Sequence, residues 1–478
     1  MRSSAASDVY KRQTYKYKYA FLRKICKERL FLMNKNEQYK RIISFFSSLI
    51  LILFLSGVFI YIWYEYYSDA IVLPFYRRGN WVVIFIYMIL TLLFFKAYGG
   101  LKMGYLKRSD MLYSQSISMV AVNIITYFQI SVIGRDFMKV IPMIYMTAAD
   151  LIIISVWIFC NNRIYLKLYP PRKLIIVYGS KNAETLTNKM SKREDKYMIC
   201  ESISIKEDFS RIKNEISRYD GVIICDISGK LRNDIIKYCF EKSKRIYISP
   251  KISDIIIRGG EDIRLFDSPL LLCRNEGLSF DQRLFKRIFD ILFSVIGLAV
   301  LSPIFLIIAA AIKIDDRGKI FYKQKRLTMN AKEFYVYKFR SMIPDAEKDG
   351  IPRLASNSDS RITRVGKFLR KCRLDEIPQL INILRGDMSV VGPRPERPEL
   401  TEKYEKEMPE FRFRLKVKAG LTGYAQVTGV YDTTPYDKLK MDLMYIERYS
   451  MVMDLRLILM TLKTIIFPGE MNSNEKNK

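Results

Sequence analysis

Asp375 and Glu376 are adjacent carboxylates inside the run Arg373-Leu374-Asp375-Glu376-Ile377-Pro378-Gln379-Leu380. Side by side, such acids can supply a nucleophile, a general base or ligands for a metal ion. Pro378 suits a first helical turn, Leu380, Ile381 and Leu384 supply an apolar face, and Gly386 reads as the C-terminal stop. The spacing therefore predicts a helix with Asp375 as its N-cap, the carboxylate lying in the positive end of the dipole. Arg370, Lys371 and Arg373 place cations just ahead of the pair. An acidic pair in a cationic setting points to phosphate chemistry, although the same octet also fits an ordinary capped helix.

Composition narrows the chemistry. The 478 residues contain no histidine, which excludes imidazole as base or metal ligand and leaves carboxylates, Lys, Arg, Tyr and Ser. The balance of 79 Lys+Arg against 49 Asp+Glu, in a chain that is half hydrophobic, suits a membrane protein meeting anionic lipid or phosphorylated substrates. The seven cysteines form no CxxC pair and read as free thiols, with no zinc site.

Other residues around the pair fit the same chemistry. Arg394 stands between Pro393 and Pro395 in a rigid turn at 386–396, placed to clamp phosphate. Lys338 ends a strand-like stretch at 334–342 and can meet either an acid or a phosphate. Gly420 and Gly423, in the glycine-rich run 419–429, would admit close backbone approach to a ligand or simply form a turn. Asp387 reads as the cap of a turn. Ile362, Val365, Phe368, Leu369 and Cys372 predict an amphipathic helix ahead of the pair, and residues 445–467 predict a helix suited to a membrane surface.

The rest of the chain must place these residues. Apolar segments at 42–63, 81–95, 111–133 and 141–160 approach the length that crosses about 30 Å of hydrocarbon as a helix. Cations cluster before the first, between the second and third, and after the fourth, so both ends of this bundle are expected to face the cytoplasm. From Lys173 the pattern alternates strand and helix, predicting a small parallel, Rossmann-like sheet. Its first turn, Gly179-Ser180-Lys181-Asn182, lacks the GxGxxG pattern of a working dinucleotide site. A fifth apolar run at 291–312 carries Ser302-Pro303 at its middle and cations at both ends. A spanning helix is asymmetric in flanking charge, so this one is expected to dip into the membrane and return to the same face.

Taken together, the blocks KRIFDILFSVIGLAVLSPIF, VYKFRSM, SRITRVGKFLRKCRLDEIPQLINILRGDMSVVGPRPE and AGLTGYAQVTG, in order over 285–467, resemble the catalytic domain of the bacterial sugar transferase family, the monotopic polyprenyl-phosphate phosphoglycosyl transferases. The four upstream segments and the degenerate α/β domain resemble its long form, which starts exopolysaccharide, capsule or O-antigen synthesis. The resemblance implies transfer of a sugar-1-phosphate from a UDP-sugar to undecaprenyl phosphate with release of UMP. It implies Asp375 as nucleophile, with Mg²⁺ held by Asp375 and Glu376, Glu376 alternatively acting as a base toward the lipid phosphate. Arg370, Arg394, Lys338, Gly420 and Gly423 would serve phosphate or substrate, and Ser302 and Pro303 would set membrane geometry.

The expected architecture is a membrane α-helical bundle (41–165), a degenerate Rossmann-like α/β domain (172–275) and an α/β-type monotopic catalytic domain (281–467) with a re-entrant helix at 288–312. A basic segment (1–40) precedes these, of which 1–32 reads as an extension outside the natural chain, and a disordered tail (468–478) follows. The location expected is the bacterial cytoplasmic membrane, multi-pass, with the site on the cytoplasmic face. The bilayer and a homodimer are the expected partners; nucleic acid is not, because membrane flanks and phosphate ligands account for most of the positive charge. A competing reading makes the protein a non-catalytic scaffold or regulator of polysaccharide assembly. Cysteines introduced after Ile312 should be labelled by an impermeant maleimide only from the cytoplasmic side; labelling of intact cells would overturn the re-entrant topology.

Overall fold

The computed structural model describes residues 39–71, 74–75, 78–101, 103–179, 182–273, 277–316, 318–343, 359, 361–429 and 433–466. The expectations for residues 1–38 and for the tail 468–478 lie outside them. The chain forms two compact units, Met1–Pro250 and Lys251–Lys478.

The first unit begins with four long helices: α1 (Lys40–Ile62, continued by a π-turn at Trp63–Tyr67), α2 (Arg78–Tyr98), α3 (Arg108–Gly134) and α4 (Ile141–Leu168). All four are long and apolar enough to cross a membrane. Their shared interior is apolar, with Leu51, Leu55, Phe59, Tyr87, Met119, Val122, Met146 and Ile154 buried and Phe59 stacked on Tyr87 at 4.2 Å. One polar knot crosses it. The Asn123 amide donates to Asp150 Oδ2 at 2.9 Å and to Thr147 Oγ1 at 2.9 Å, tying α3 to α4. The bundle thus turns this strongly polar contact inward, as an apolar solvent requires.

The α/β part of this unit runs β1 (Arg172–Tyr178), α5 (Asn182–Ser191), β2 (Tyr197–Ser204), α6 (Phe209–Ser217), β3 (Gly221–Cys225), α7 (Gly229–Glu241) and β4 (Arg245–Ile248). The four strands form an all-parallel sheet in the order β2-β1-β3-β4. Alternate residues of β1 and β3 enter opposite cores: Ile175, Val177, Val222 and Ile224 on one side, Leu174, Ile176 and Ile223 on the other. Burial of both faces is what a parallel sheet demands. Gly179 is required by packing, since a Cβ there would collide with the Asp226 carbonyl. Cys160, Cys225, Cys239, Cys273 and Cys372 form no disulfide, but Cys200 is disulfide-bonded, a departure from the expected seven thiols.

The second unit opens with α8 (Ile252–Gly259) and a hairpin of β5 (Glu261–Leu265) and β6 (Ser268–Leu272), so the stretch 251–272 packs here rather than with the parallel sheet. Next comes α9 (Phe280–Asp316), a single helix of 37 residues that is also apolar enough to cross a membrane. Pro303 lies inside it, and the helix continues through. Proline removes the N–H that would bond the carbonyl of Ala299; the Ser302 hydroxyl donates to that carbonyl instead, at 2.8 Å. Both ends of α9 pack on the same body. Near one end Lys286 pairs with Asp454, Arg287 donates to the carbonyls of Ile383 and Leu384, and Asp290 accepts from Ser389 and the Val390 N–H. Near the other, Ile308 and Ile312 join Phe339 and Leu369.

The remaining elements are β7 (Phe321–Leu327), β8 (Glu333–Phe339), α10 (Arg364–Lys371), α11 (Gln379–Arg385), β9 (Ser389–Val391), α12 (Pro398–Glu407), β10 (Gly420–Thr422), α13 (Tyr424–Thr428), α14 (Pro435–Glu447) and α15 (Met451–Ile466). The pairs β7–β8 (antiparallel) and β9–β10 (parallel) are small, and a core of Phe334, Val336, Ile383, Val390, Val391, Phe411, Leu439 and Leu443 joins them to the helices. The helix predicted at 445–467 is instead divided between α14 and α15, with a break at 448–450, and α15 buries Asp454 against Lys286. Replacing Asn123 by Ala leaves Asp150 without its amide donor, and should lower the stability of the detergent-solubilised bundle by about 1 kcal/mol. An unchanged thermal midpoint would show that the knot carries no load.

Candidate active site

The acidic pair sits on a tight connection, not on a helix cap. α10 is capped by the Thr363 hydroxyl, which accepts from the Gly366 N–H at 2.9 Å, and it ends at Lys371. Arg373 then adopts a left-handed backbone (φ 55°), and Leu374–Glu376 forms one 3₁₀ turn. α11 starts only at Gln379, with Pro378 in the cap position, so the expected N-cap role of Asp375 is not realised. The reason is apolar: Leu374 and Ile377 pack against the cluster of Ile308, Ile312, Phe339 and Leu369, which turns the chain before the helix begins. Gly386, at φ 90°, ends α11 as expected.

The two carboxylates have different surroundings. Glu376 Oε1 accepts from Lys338 Nζ at 2.8 Å and from Arg394 Nη2 at 3.0 Å, and only 14% of its side chain is exposed. Asp375, among the described residues, has no hydrogen bond or ion pair and keeps its oxygens available. Burial opposes ionisation of Glu376, yet the Lys338 ammonium and the Arg394 guanidinium outweigh it and hold the carboxyl well below the usual glutamate range. Burial raises the Asp375 carboxyl, the neighbouring Glu376 charge raises it further, and Lys338, Arg370 and Arg394 offset part of the rise. One acid is thus a fixed anion, and the other is unengaged and more basic than an ordinary aspartate.

Three elements deliver the cations. Lys338 comes from β8, which is held by Asn382: its carbonyl accepts from the Tyr337 N–H and its amide donates to Tyr335 O. Arg370, in the last turn of α10, donates to the Ser341 hydroxyl at 2.8 Å and acts on Asp375 through its field. Arg394 lies in the turn after β9 with about half of its side chain exposed. Gly420 and Gly423 support that turn instead of lining open space. A Cβ on Gly420 would strike Gly392 N, and one on Gly423 would strike Gly392 O. Ser302 and Pro303 are exposed on α9 and are not part of this cluster. Asp387 follows the α11 stop, its N–H donating to Asn382 O.

Several contributors escaped sequence reasoning. Glu396, Arg414 and Asp442 gather beside Arg394, and Asp290 holds the strand that leads to it. A signal existed for two of them: Asp442 shares a helix face with Leu439, Leu443 and Ile446, and Asp290 directly precedes the apolar run 291–312. A charge at a core position of an amphipathic pattern asks for a buried partner.

Residues 281–468 match the family model described as bacterial sugar transferase. The chain is 40% identical over 194 residues to the exopolysaccharide production protein PSS of Rhizobium leguminosarum bv. phaseoli, covering 39% of this chain and 96% of that protein. The chain belongs to the bacterial sugar transferase family. Two longer family members are each 39% identical. The UDP-N-acetylgalactosamine-undecaprenyl-phosphate N-acetylgalactosaminephosphotransferase of Aeromonas hydrophila matches over 184 residues, 38% of this chain and 43% of its own length. The UDP-glucose:undecaprenyl-phosphate glucose-1-phosphate transferase of Klebsiella pneumoniae matches over 223 residues, 46% and 45%. The chain thus spans a little under half the length of these two relatives, and the family match contains every residue of the acidic site.

Glu376→Gln should move the titration of the Asp375 carboxyl to lower pH, because it removes the neighbouring anion, and Lys338→Met should move it to higher pH, because it removes a cation. Carbon-detected NMR of labelled aspartate reads both. A titration that stays put in both variants would show that the two groups do not interact.

Proposed function

We propose that the protein transfers a sugar-1-phosphate from a UDP-sugar to undecaprenyl phosphate, as an early membrane step of exopolysaccharide, capsule or O-antigen synthesis. The observation that carries this reading is the division of the acidic pair: Glu376 is tied to two cations, while Asp375 is unengaged beside them. The names of the Aeromonas and Klebsiella relatives, both undecaprenyl-phosphate sugar-phosphate transferases, support the substrate class.

In this mechanism Asp375 attacks the phosphorus that carries the sugar. A carboxylate oxygen–phosphorus bond forms, the bond from that phosphorus to the bridging oxygen breaks, and UMP leaves with the bridging oxygen and its electron pair. A phosphate oxygen of undecaprenyl phosphate then attacks the same phosphorus, breaking its bond to Asp375 and regenerating the carboxylate. Arg394, half-exposed and pinned by Glu376, presents its remaining N–H groups to the diphosphate. Lys338 and Arg370 supply positive potential that favours approach of an anionic donor to an anionic nucleophile. Glu376 acts as the anchor of the two cations, which leaves the role of metal ligand mainly to Asp375.

Among the described residues no group of three or more acidic or cysteine side chains could cage a metal. The unengaged Asp375 carboxylate suits a cation such as Mg²⁺, which commonly takes one or two carboxylates and completes its shell with substrate phosphates and water. When bound, the ion would supply neutralisation of the diphosphate charge, with Asp375 as the available ligand.

The geometry of α9 supports a membrane placement. Between Lys286 and Ile312 the helix rises about 39 Å, more than the roughly 30 Å hydrocarbon layer, yet both ends rest on one body. A helix crossing the bilayer would separate them, which supports a helix that enters and stays on one side. The site would then lie at the cytoplasmic face of the cell membrane. We regard the α/β part as Rossmann-like and structural, Gly179 being filled by the Asp226 carbonyl.

Asp375→Asn should abolish UMP release from a panel of UDP-sugars with Mg²⁺ and undecaprenyl phosphate, and the parent protein trapped without acceptor should carry a phosphosugar on Asp375 by mass spectrometry. Full turnover in the variant would sink the mechanism.

A further inference from the structure

The turn that carries Arg394 has an unusual hydrogen-bonding problem. Pro393 and Pro395 have no N–H, so this stretch is held chiefly through its carbonyls. Three consecutive carbonyls each take a donor from elsewhere in the fold. Pro393 O accepts from the Gly420 N–H at 2.9 Å, Arg394 O from Arg414 Nη2 at 2.9 Å, and Pro395 O from Arg326 Nη1 at 3.2 Å. The middle bond belongs to Arg394 itself.

Arg414 is built to hold that position. It is 3% exposed and stands on the 3₁₀ segment Pro409–Lys416, its guanidinium near the ring of Phe411. Its Nε and Nη2 both reach Asp442 Oδ2, at 2.9 and 2.8 Å, and Asp442 is 1% exposed on α14. Nη1 lies 3.7 Å from Glu396, the residue just past the turn. The fork is thus locked on one side by a carboxylate and offers its other side to the turn. Stability gives little reason to keep such a pair, because apolar replacement of a buried ion pair is commonly neutral or stabilising. A planar donor that can bind a carboxylate and a backbone carbonyl at once is a reason that a lysine or a hydrophobic residue does not share.

Resting on the reaction proposed above, we propose that Arg414, locked by Asp442, is the positioning residue for Arg394. It fixes the backbone carbonyl of Arg394 and so sets where that guanidinium meets Glu376 and the donor diphosphate. Among the described residues Arg414 has its hydrogen bonds and ion pairs with Asp442, Glu396 and the Arg394 carbonyl, so it acts through Arg394.

The test is a double-mutant cycle on UMP release with purified full-length protein in detergent, Mg²⁺, undecaprenyl phosphate and the UDP-sugar that the parent protein turns over. Arg414→Lys keeps the charge beside Asp442 but loses the fork. It should lower kcat about tenfold or more in the parent and less than about twofold in Arg394→Lys, because the side chain it positions is already altered. Equal losses in both backgrounds would overturn the proposal. Arg414→Met combined with Asp442→Leu removes both buried charges. It should keep the thermal midpoint of the parent and lose the same activity as Arg414→Lys; a stable, fully active double variant would also overturn it. A parent protein that releases no UMP from any UDP-sugar would instead overturn the reaction itself.

Discussion

The convergence of Lys338 and Arg394 on one oxygen of Glu376 is the constraint around which the catalytic unit is arranged. These three residues lie on a strand, a proline-flanked turn and a 3₁₀ connection that are remote in sequence. A carboxylate with so little exposure is stable as an anion only if cations meet it, and each cation needs its own support to do so. Asn382 secures the strand, the glycine contacts and Arg414 secure the turn, and Leu374 with Ile377 secures the connection. The same arrangement leaves Asp375 beside a cationic field without spending it on any of those contacts.

The supports lead back to α9. Its apolar C-terminal half makes the cluster under Leu374 and Ile377, and its polar N-terminal turns bond α11, β9 and α15. The helix most suited to lipid is therefore also a wall of the site. Where it sits in a bilayer would determine where the acidic pair sits.

Much of this was legible in the sequence. The long apolar helices, the alternation of the α/β part, the acidic pair, Arg394 and Lys338 all announce themselves through local pattern. What failed did so where a distant contact overrode a local preference. Asp375 was read as a cap because Pro378 and Gly386 frame a helix; Leu374 and Ile377, packing on residues some 65 positions earlier, turn the chain first. The helix at 445–467 reads as continuous, whereas the chain breaks at 448–450 and α15 then pairs Asp454 with the distant Lys286. Gly420 and Gly423 look like ligand-approach glycines, but their open sides are taken by Gly392, a partner that no spacing rule reveals. Arg414 and Asp442 have no motif around them, only a charge where the pattern calls for an apolar side chain.

That glycine contact bears on how the family can diversify. Gly420 and Gly423 each meet Gly392 backbone to backbone, so a side chain at either requires Gly392 to move. Substitution there is blocked one step at a time, and the turn presenting Arg394 is closed to gradual change. Relatives named for glucose and for N-acetylgalactosamine match this chain equally well across the region. The packed turn thus keeps Arg394 in place while surfaces away from it stay open to substitution.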